Sequence, residues 1–355
     1  MEPEPGSEAE PVAEPEPEVV SEREPEEKKQ VYFDGSLDSP LSSCIIIASH
    51  LSKKHRVRYL FECLESLFAQ TIVIPVYLSF SFENQEINNE FAKEFISRPH
   101  LHNDLLYLYP QDTKTAQMRH IFQLYPLLRE RYHWLFFCDD DDTYELNRVE
   151  KFLNNIKFCL QNYETADKKF RGIYECQEDV DHRKRRHEYW CYCIHSDIFD
   201  KFYNLLLDYP DIVDHKCCDV LLAEYIRRHK ENDIFAGIKD KLYNYRRTDN
   251  SDSITGEIQM KNKLIRQPRN VTDDNRQECA NELNEFLDDN LDMYLHDTFL
   301  YSIVGKSLDS ILESEFKGEY CIVDLIRPNH IERIKKLYSH LVEICNNLYE
   351  IPISQ

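Results

Sequence analysis

Four consecutive aspartates, Asp139, Asp140, Asp141 and Asp142, follow directly on the apolar run Trp134-Leu135-Phe136-Phe137-Cys138. A short, aromatic-rich apolar run reads as a buried strand. The sequence therefore delivers four carboxylates to one strand end, where they repel one another unless they share a positive charge. Hard carboxylate oxygens suit Mg²⁺ or Mn²⁺, with diphosphate oxygens completing an octahedron. In such a DxD element one carboxylate touches the metal and another orients the metal or a sugar ring. The rival reading is an acidic loop capping the helix that begins near Leu146, for which two carboxylates would be enough. The register has two solutions. Counting from Trp134 selects Asp139 and Asp141, and counting back from Thr143-Tyr144 selects Asp140 and Asp142. All four stand as metal candidates, and Asp139 and Asp140 also as donor contacts.

The most basic stretch, Asp181-His182-Arg183-Lys184-Arg185-Arg186-His187, either neutralises a phosphate or anionic acceptor or forms a solvated loop face. Trp190, just beyond it, is a stacking platform for a sugar or a core residue. Cys176, Cys191 and Cys193 with nearby histidines could make a structural zinc site, but no CxxC array repeats. The twelve cysteines read more simply as reduced, mostly buried thiols.

These residues must be positioned by short apolar runs alternating with amphipathic ones. Cys44–Ala48 fits a buried parallel strand. Val57–Gln70 follows as a helix, with Leu60, Cys63, Leu64, Leu67 and Phe68 at three- and four-residue spacing. Ile72–Phe80 is a second strand with Pro75 at an edge or entry position. Ile87–Ile96 is a helix, Leu105–Leu108 a strand, Thr115–Arg129 a helix, and then comes the Trp134 strand. This βαβαβαβ order implies a parallel sheet wrapped by helices. Ligands bind such sheets beyond the carboxyl ends of the strands, where the aspartates and Ser49-His50 both fall. A turn residue is the simpler reading of His50. Further on, helices are expected at Leu146–Leu160, Ser196–Leu207 and Cys218–His229. Strands are expected at Arg171–Cys176, Tyr189–Ile194, Ile234–Phe235 and Leu242–Tyr245. Glu278–Leu312 and Asn329–Tyr349 read as long helices.

The chain of 355 residues carries a formal charge of −22. Residues 1–30 supply −8 of it, with eleven Glu and six Pro against three basic residues. That segment has little to bury and reads as a disordered acidic tail. The remainder is also acidic, which argues against nucleic acid as a partner. No apolar stretch is long enough for a transmembrane helix and no secretory signal is evident, so the expectation is a soluble, cytoplasmic protein. The division expected is the tail 1–30, a catalytic α/β domain 31–265 and a C-terminal helical extension 266–355.

The run Trp134–Tyr144 resembles the DxD strand of nucleotide-sugar glycosyltransferases of the GT-A fold. Tyr59-Leu-Phe-Glu-Cys-Leu-Glu-Ser-Leu-Phe-Ala-Gln70 is similar to the first helix of the inverting family-two enzymes, and Ile45–His50 sits where that family reads the nucleotide. The Asp-Asp-Asp-Thr-Tyr run also resembles fringe-type and core-β-galactosyl enzymes. The likeness covers roughly residues 42–250. It implies a Rossmann-like, mostly parallel sheet flanked by helices. It further implies a UDP- or GDP-sugar donor, Mn²⁺ or Mg²⁺, a sugar or protein hydroxyl as acceptor, and inversion at the anomeric carbon. It places Arg119 beside the donor. Cys218-Asp219-Val220-Leu221-Leu222 resembles the acidic-x-x-Leu segment that supplies the general base, which makes Asp219 the candidate and Asp214 the fallback; an ordinary helix N-cap is the alternative for Asp219. Tyr245-Arg246-Arg247 resembles the loop that closes over the donor, with Arg246 or Arg247 offsetting diphosphate charge. The chain departs from the family after the second strand, where Glu83 is the sole acid available to the nucleoside.

Two other readings remain. Clustered aspartates also serve metal-dependent phosphoesterases and nucleotidyltransferases. The Gly-rich loop of the latter is missing, since no glycine occurs between Gly35 and Gly172. A catalytically inactive binding protein of the same fold is the third.

Overall fold

The computed structural model describes residues 31–32, 39–163, 169–176, 186–232, 234–246, 272–316 and 325–349. The acidic segment 1–30, the basic residues 183–185 and Arg247 lie outside the described residues.

The core is a seven-stranded sheet. Its strands are β2 (Ser43–Leu51), β4 (Val76–Phe82), β5 (Leu106–Gln111), β6 (Trp134–Asp139), β8 (Phe170–Glu175), β9 (Tyr192–His195) and β10 (Ile234–Ile238). Two-residue strands β1 (Val31–Tyr32) and β3 (Ile72–Val73) pair with each other, as do β7 (Thr143–Tyr144) and β11 (Tyr243–Asn244). The large sheet runs β10-β8-β9-β6-β2-β4-β5. All its pairings are parallel except those of β9, which is antiparallel to both β6 and β8. The expected mostly parallel sheet is thus present. Its order reverses at β2, where β4 and β5 extend one way and β6 the other, and the crevice beyond that switch point is where such sheets take ligands.

The helices are α1 (Lys54–Phe68), α2 (Gln85–Ile96), α3 (Gln117–Leu128), α4 (Arg148–Asn162), α5 (Ser196–Leu206), α6 (Pro210–Val213), α7 (Cys218–Asn232), α8 (Arg276–Ser302), α9 (Leu308–Phe316) and α10 (Pro328–Tyr349). The central strands are buried on both faces: Cys44 to Ile47 and Trp134 to Cys138 are essentially inaccessible. Each such large apolar side chain contributes about 1.5–3 kcal/mol on burial. The indole N–H of Trp134 donates to the Pro40 carbonyl at 2.9 Å, so the largest core residue leaves no donor unpaired.

Three local expectations change. Pro75 has no N–H to pair, and it separates β3 from β4 while its carbonyl accepts from Ile45 N at 2.9 Å. Tyr189–Cys191 forms a 3-10 turn before β9 instead of extending that strand. The single helical pattern Glu278–Leu312 breaks into α8 and α9. Gly305 stands there at φ 90° and Lys306 N reaches back to Tyr301 O at 3.1 Å, a helix termination that favours glycine.

The C-terminal helices are not an isolated appendage. Phe299 of α8 and Ile303 just beyond its end, with Leu341, Ile344 and Leu348 of α10, join the main core. Leu283, Leu287, Leu291, Leu325 and Ile334 form a second, smaller cluster. Among the described residues, no helix is long and apolar enough to cross a membrane.

Candidate active site

The four aspartates leave the end of β6 in a turn, with Asp142 N donating to Asp139 O at 3.3 Å. Asp139 lies in register with Ala48 of β2, so the next residue, Ser49, reaches the cluster. Its hydroxyl donates to Asp140 Oδ2 at 2.5 Å.

Each carboxylate has its own donors. Arg56, in the first turn of α1, donates from Nη2 to Asp140 Oδ1 at 2.6 Å and from Nη1 to Asp141 Oδ2 at 2.7 Å. Gln117, the first residue of α3, donates to Asp139 Oδ1 at 2.9 Å, and the Tyr189 hydroxyl donates to the same oxygen. Tyr243 donates its hydroxyl proton to Asp142 Oδ2 at 2.8 Å and accepts from Asp139 N at 3.0 Å. Arg246 N donates to Asp142 Oδ1 at 2.7 Å. The Arg246 side chain donates from Nε to the Asp141 carbonyl at 2.7 Å, pairs with Glu62, and lies 4.2 Å over the Tyr59 ring.

Burial pushes three of these carboxyls upward. Asp139 is raised well above the carboxylate range by desolvation, with the charge of Asp142 adding to it. Asp140 is raised by desolvation against the offsetting charge of Arg56. Asp142 is pushed up to about 7 by desolvation, while the Arg246 N–H opposes the rise. Such a cluster favours an additional cation, because each negative form is disfavoured by burial and by its neighbours.

Among the described residues, no three His, Cys, Asp or Glu side chains form a ready-made metal cage. The donor set nevertheless fits a hard cation that brings waters or phosphate oxygens with it, for which one or two carboxylates suffice. Both hydrogen bonds to Asp139 fall on Oδ1, and those to Asp141 on Oδ2. The other oxygen of each has no hydrogen-bond partner among the described residues. Asp140 and Asp142 are engaged through both oxygens.

Asp219 stands in the first turn of α7. Its carboxylate takes the N–H of Val220 and its own N–H, yet Oδ1 is buried without a hydrogen-bond partner among the described residues. Desolvation, with the charge of Glu188 adding, pushes its pKa up to about 7. The charges of Asp139 and Asp219 both bear on Tyr189, so the tyrosine that contacts Asp139 also neighbours Asp219. An orphaned carboxylate oxygen poised near neutrality is what a general base requires. Capping and base roles are compatible, since they use different oxygens.

Other expected residues are placed differently. Arg119 does not join the aspartates. Its guanidinium is taken by Asp214, with Nε to Oδ1 at 2.7 Å and Nη2 to Oδ2 at 3.0 Å, and by Pro210 O at 2.9 Å. That pairing also commits Asp214, the fallback base. His50 bridges Ser81 Oγ at 2.9 Å and Glu83 Oε2 at 2.8 Å, and Glu83 also pairs with Lys114 at 3.4 Å. Trp190 is buried and stacks on Tyr243 at 4.0 Å between ring centres, so it is core beneath the site; Tyr245, also stacked on it, is exposed. The described cysteines are free thiols.

No family model matches the chain, and no curated protein matches it. Solved structures similar in arrangement include S. aureus TarS, at 12% identity and TM-score 0.39 over 86% of this chain. The chain spans about half of that protein, 55% of its length. A second is the mannosyltransferase PcManGT from Pyrobaculum calidifontis in complex with GDP-Man and Mn²⁺, at 11% identity and TM-score 0.40 over 86% of this chain and 87% of that one. A third is glucosyl-3-phosphoglycerate synthase from Mycobacterium tuberculosis with Mn²⁺, UDP and phosphoglyceric acid, at 7% identity and TM-score 0.35 over 61% and 73%. What the crevice does is read from its own residues.

Proposed function

We propose that the chain is a GT-A-type glycosyltransferase that moves a sugar from a nucleoside diphosphate sugar to a hydroxyl acceptor, with inversion. The observation that carries the reading is the carboxylate cluster at the sheet's switch point, where Tyr189 donates to Asp139 and also feels the charge of Asp219. Among the described residues, Asp139 and Asp141 each keep an oxygen without a hydrogen-bond partner, and so does Asp219. On this reading the DxD register is Asp139 and Asp141, which would hold Mn²⁺ or Mg²⁺. A bound divalent ion supplies charge neutralisation of the departing diphosphate.

The chain's own residues do the rest. Asp219 takes the proton of the acceptor hydroxyl as its oxygen attacks the anomeric carbon. The bond from that carbon to the diphosphate oxygen breaks on the opposite side. Arg246, beside Asp141, offsets charge developing on the leaving group. Ser49, Tyr189 and Tyr243 keep the carboxylates from rearranging by donating to them in fixed directions.

The test is thermal stabilisation and donor turnover with UDP- and GDP-sugars, with and without Mn²⁺, for the native protein and Asp141→Ala. Stabilisation by nucleotide that needs the metal and is lost in the variant is the expected result. Absence of any nucleotide response under any metal would sink the reading. A non-catalytic nucleotide-binding protein is favoured by one observation, the saturation of Asp140 and Asp142 by protein donors. It predicts metal-dependent nucleotide binding without hydrolysis or transfer.

A further inference from the structure

Arg56 stands where a cation would stand. Its guanidinium bridges Asp140 and Asp141 at 2.6 and 2.7 Å, and the charge of Asp139 also bears on it. The first turn of α1 carries no acidic residue, so its own helix turn offers this arginine no partner. Arg56, Tyr59 and Glu62 recur at three-residue spacing, which places them along one face of α1. That face meets the aspartates through Arg56 and holds Arg246 through Tyr59 and Glu62.

We propose that Arg56 is a built-in counter-cation of the aspartate cluster, one that competes with a divalent ion arriving at the partner-free Oδ1 of Asp141 and is displaced from Oδ2 when the ion binds. The proposal rests on the metal-binding reading of Asp139 and Asp141 given above. Two carboxylates bridged by one guanidinium are already neutralised in part. A divalent ion added at Asp141 with Arg56 in place would meet a like charge at close range, in a site only partly screened by water. The two carboxylates differ in what they keep when Arg56 leaves. Asp140 retains the Ser49 hydroxyl, whereas Asp141 retains no side-chain partner among the described residues. Asp141 is therefore the group released to the ion. Arg56 is 18% exposed, long and unbranched, and a displaced guanidinium is a fitting bidentate partner for a diphosphate. Metal and diphosphate binding are then coupled: the ion alone must displace the arginine, and the diphosphate gives the arginine a new partner.

The experiment is a Mn²⁺ titration of the full chain without nucleotide, read by the electron paramagnetic resonance signal of free Mn²⁺. Arg56→Gln should bind Mn²⁺ about tenfold or more tightly than the native protein, and Asp141→Asn in the same background should erase the gain. Arg56→Lys keeps the charge but cannot bridge two carboxylates, so its affinity should fall between those of the native and Gln proteins. A natively folded Arg56→Gln protein that binds Mn²⁺ equally or more weakly overturns the proposal. A Lys variant no tighter than native does the same should the Gln variant fail to fold. A parallel titration with UDP and GDP separates the two readings. Nucleotide that binds none of these proteins removes the donor assignment, while tighter Mn²⁺ binding by the Gln variant would still establish the counter-cation.

Discussion

Arg148 and Glu175 form an ion pair with no exposed surface on either side chain, and the pair ties together two segments that donate to the aspartates. Glu175 Oε1 accepts from Leu242 N at 2.8 Å and Tyr243 N at 3.2 Å. Arg148 donates to Trp190 O at 3.0 Å and lies over the rings of Tyr144 and Tyr243 at 4.7 and 5.1 Å. The turn that presents Tyr189 and the strand that presents Tyr243 are thus fastened to one buried charge pair.

Breaking that pair from one side should be costly. Arg148→Met leaves Glu175 buried with an uncompensated charge, which destabilises by about 3–5 kcal/mol. Adding Glu175→Gln removes the charge but keeps an acceptor for the two backbone N–H groups, and should restore a large part of the loss. Urea denaturation of the native protein, both single variants and the double variant measures the coupling. Additive losses would mean that the pair is not a unit.

Asp219 makes a pH prediction whose sign is fixed. Its folded pKa, about 7, lies above the ordinary value of 3.8. The protonated form therefore suits the fold, so its contribution is intact below about pH 4 and is lost as pH rises through about 7. Asp219→Asn should remove a decline on the order of 4 kcal/mol between those limits, seen as a flatter plot of urea midpoint against pH. The same variant should lower transfer by about 10²–10⁴-fold, because catalysis needs the deprotonated form that folding disfavours. Undiminished turnover in Asp219→Asn would remove it as the base.

The register prediction separates the aspartates by what they touch. Asp139→Asn and Asp141→Asn should abolish metal-dependent nucleotide binding with little change in stability without metal. Asp142→Leu leaves the Tyr243 hydroxyl and the Arg246 N–H without their acceptor, and should cost about 1–3 kcal/mol in stability. Differential scanning calorimetry with and without Mn²⁺ checks both. A reversed pattern would select the register counted back from Tyr144.

The alternation of apolar runs and amphipathic helices made the sheet legible, and the position of the aspartates at a strand end followed from it. Their donors were not legible. Arg56 lies within the basic run Lys53-Lys54-His55-Arg56, which reads as solvated, and no local pattern relates it to residues 84 and 85 positions away. Gln117 and Arg119 stand two positions apart in the sequence, and charge alone favours Arg119. Successive helix residues turn by about 100°, so two residues apart they face nearly opposite ways. Gln117 meets Asp139, which leaves Arg119 to Asp214. Tyr189 and Tyr243 are expected only as strand residues, yet each uses a hydroxyl on the cluster. A hydrogen bond across 50 or 101 residues has no periodic signal.

The other side of the crevice carries a chain of polar groups that runs from Glu83 through His50, Ser81 and His120 to Ser79. His120 Nδ1 meets Ser79 Oγ at 2.8 Å and Nε2 meets Ser81 Oγ at 3.4 Å. Burial pulls the His120 pKa down to about 4, so the fold holds the neutral ring. The linkage has the opposite sign to that of Asp219. The folded pKa is depressed below 6.5, so this contribution is intact above about pH 6.5 and is lost as pH falls through about 4. The native protein should therefore lose on the order of 2–3 kcal/mol on acidification over that window, and His120→Asn should flatten the acid limb alone. Because His50 hangs on Ser81, the same acidification should release His50 and Glu83. Binding of a nucleoside diphosphate should then weaken in parallel in the native protein, measured by calorimetry at pH 7 and pH 3.5. A nucleotide affinity that stays constant while stability falls would mean that the chain supports the fold and does not touch the nucleoside.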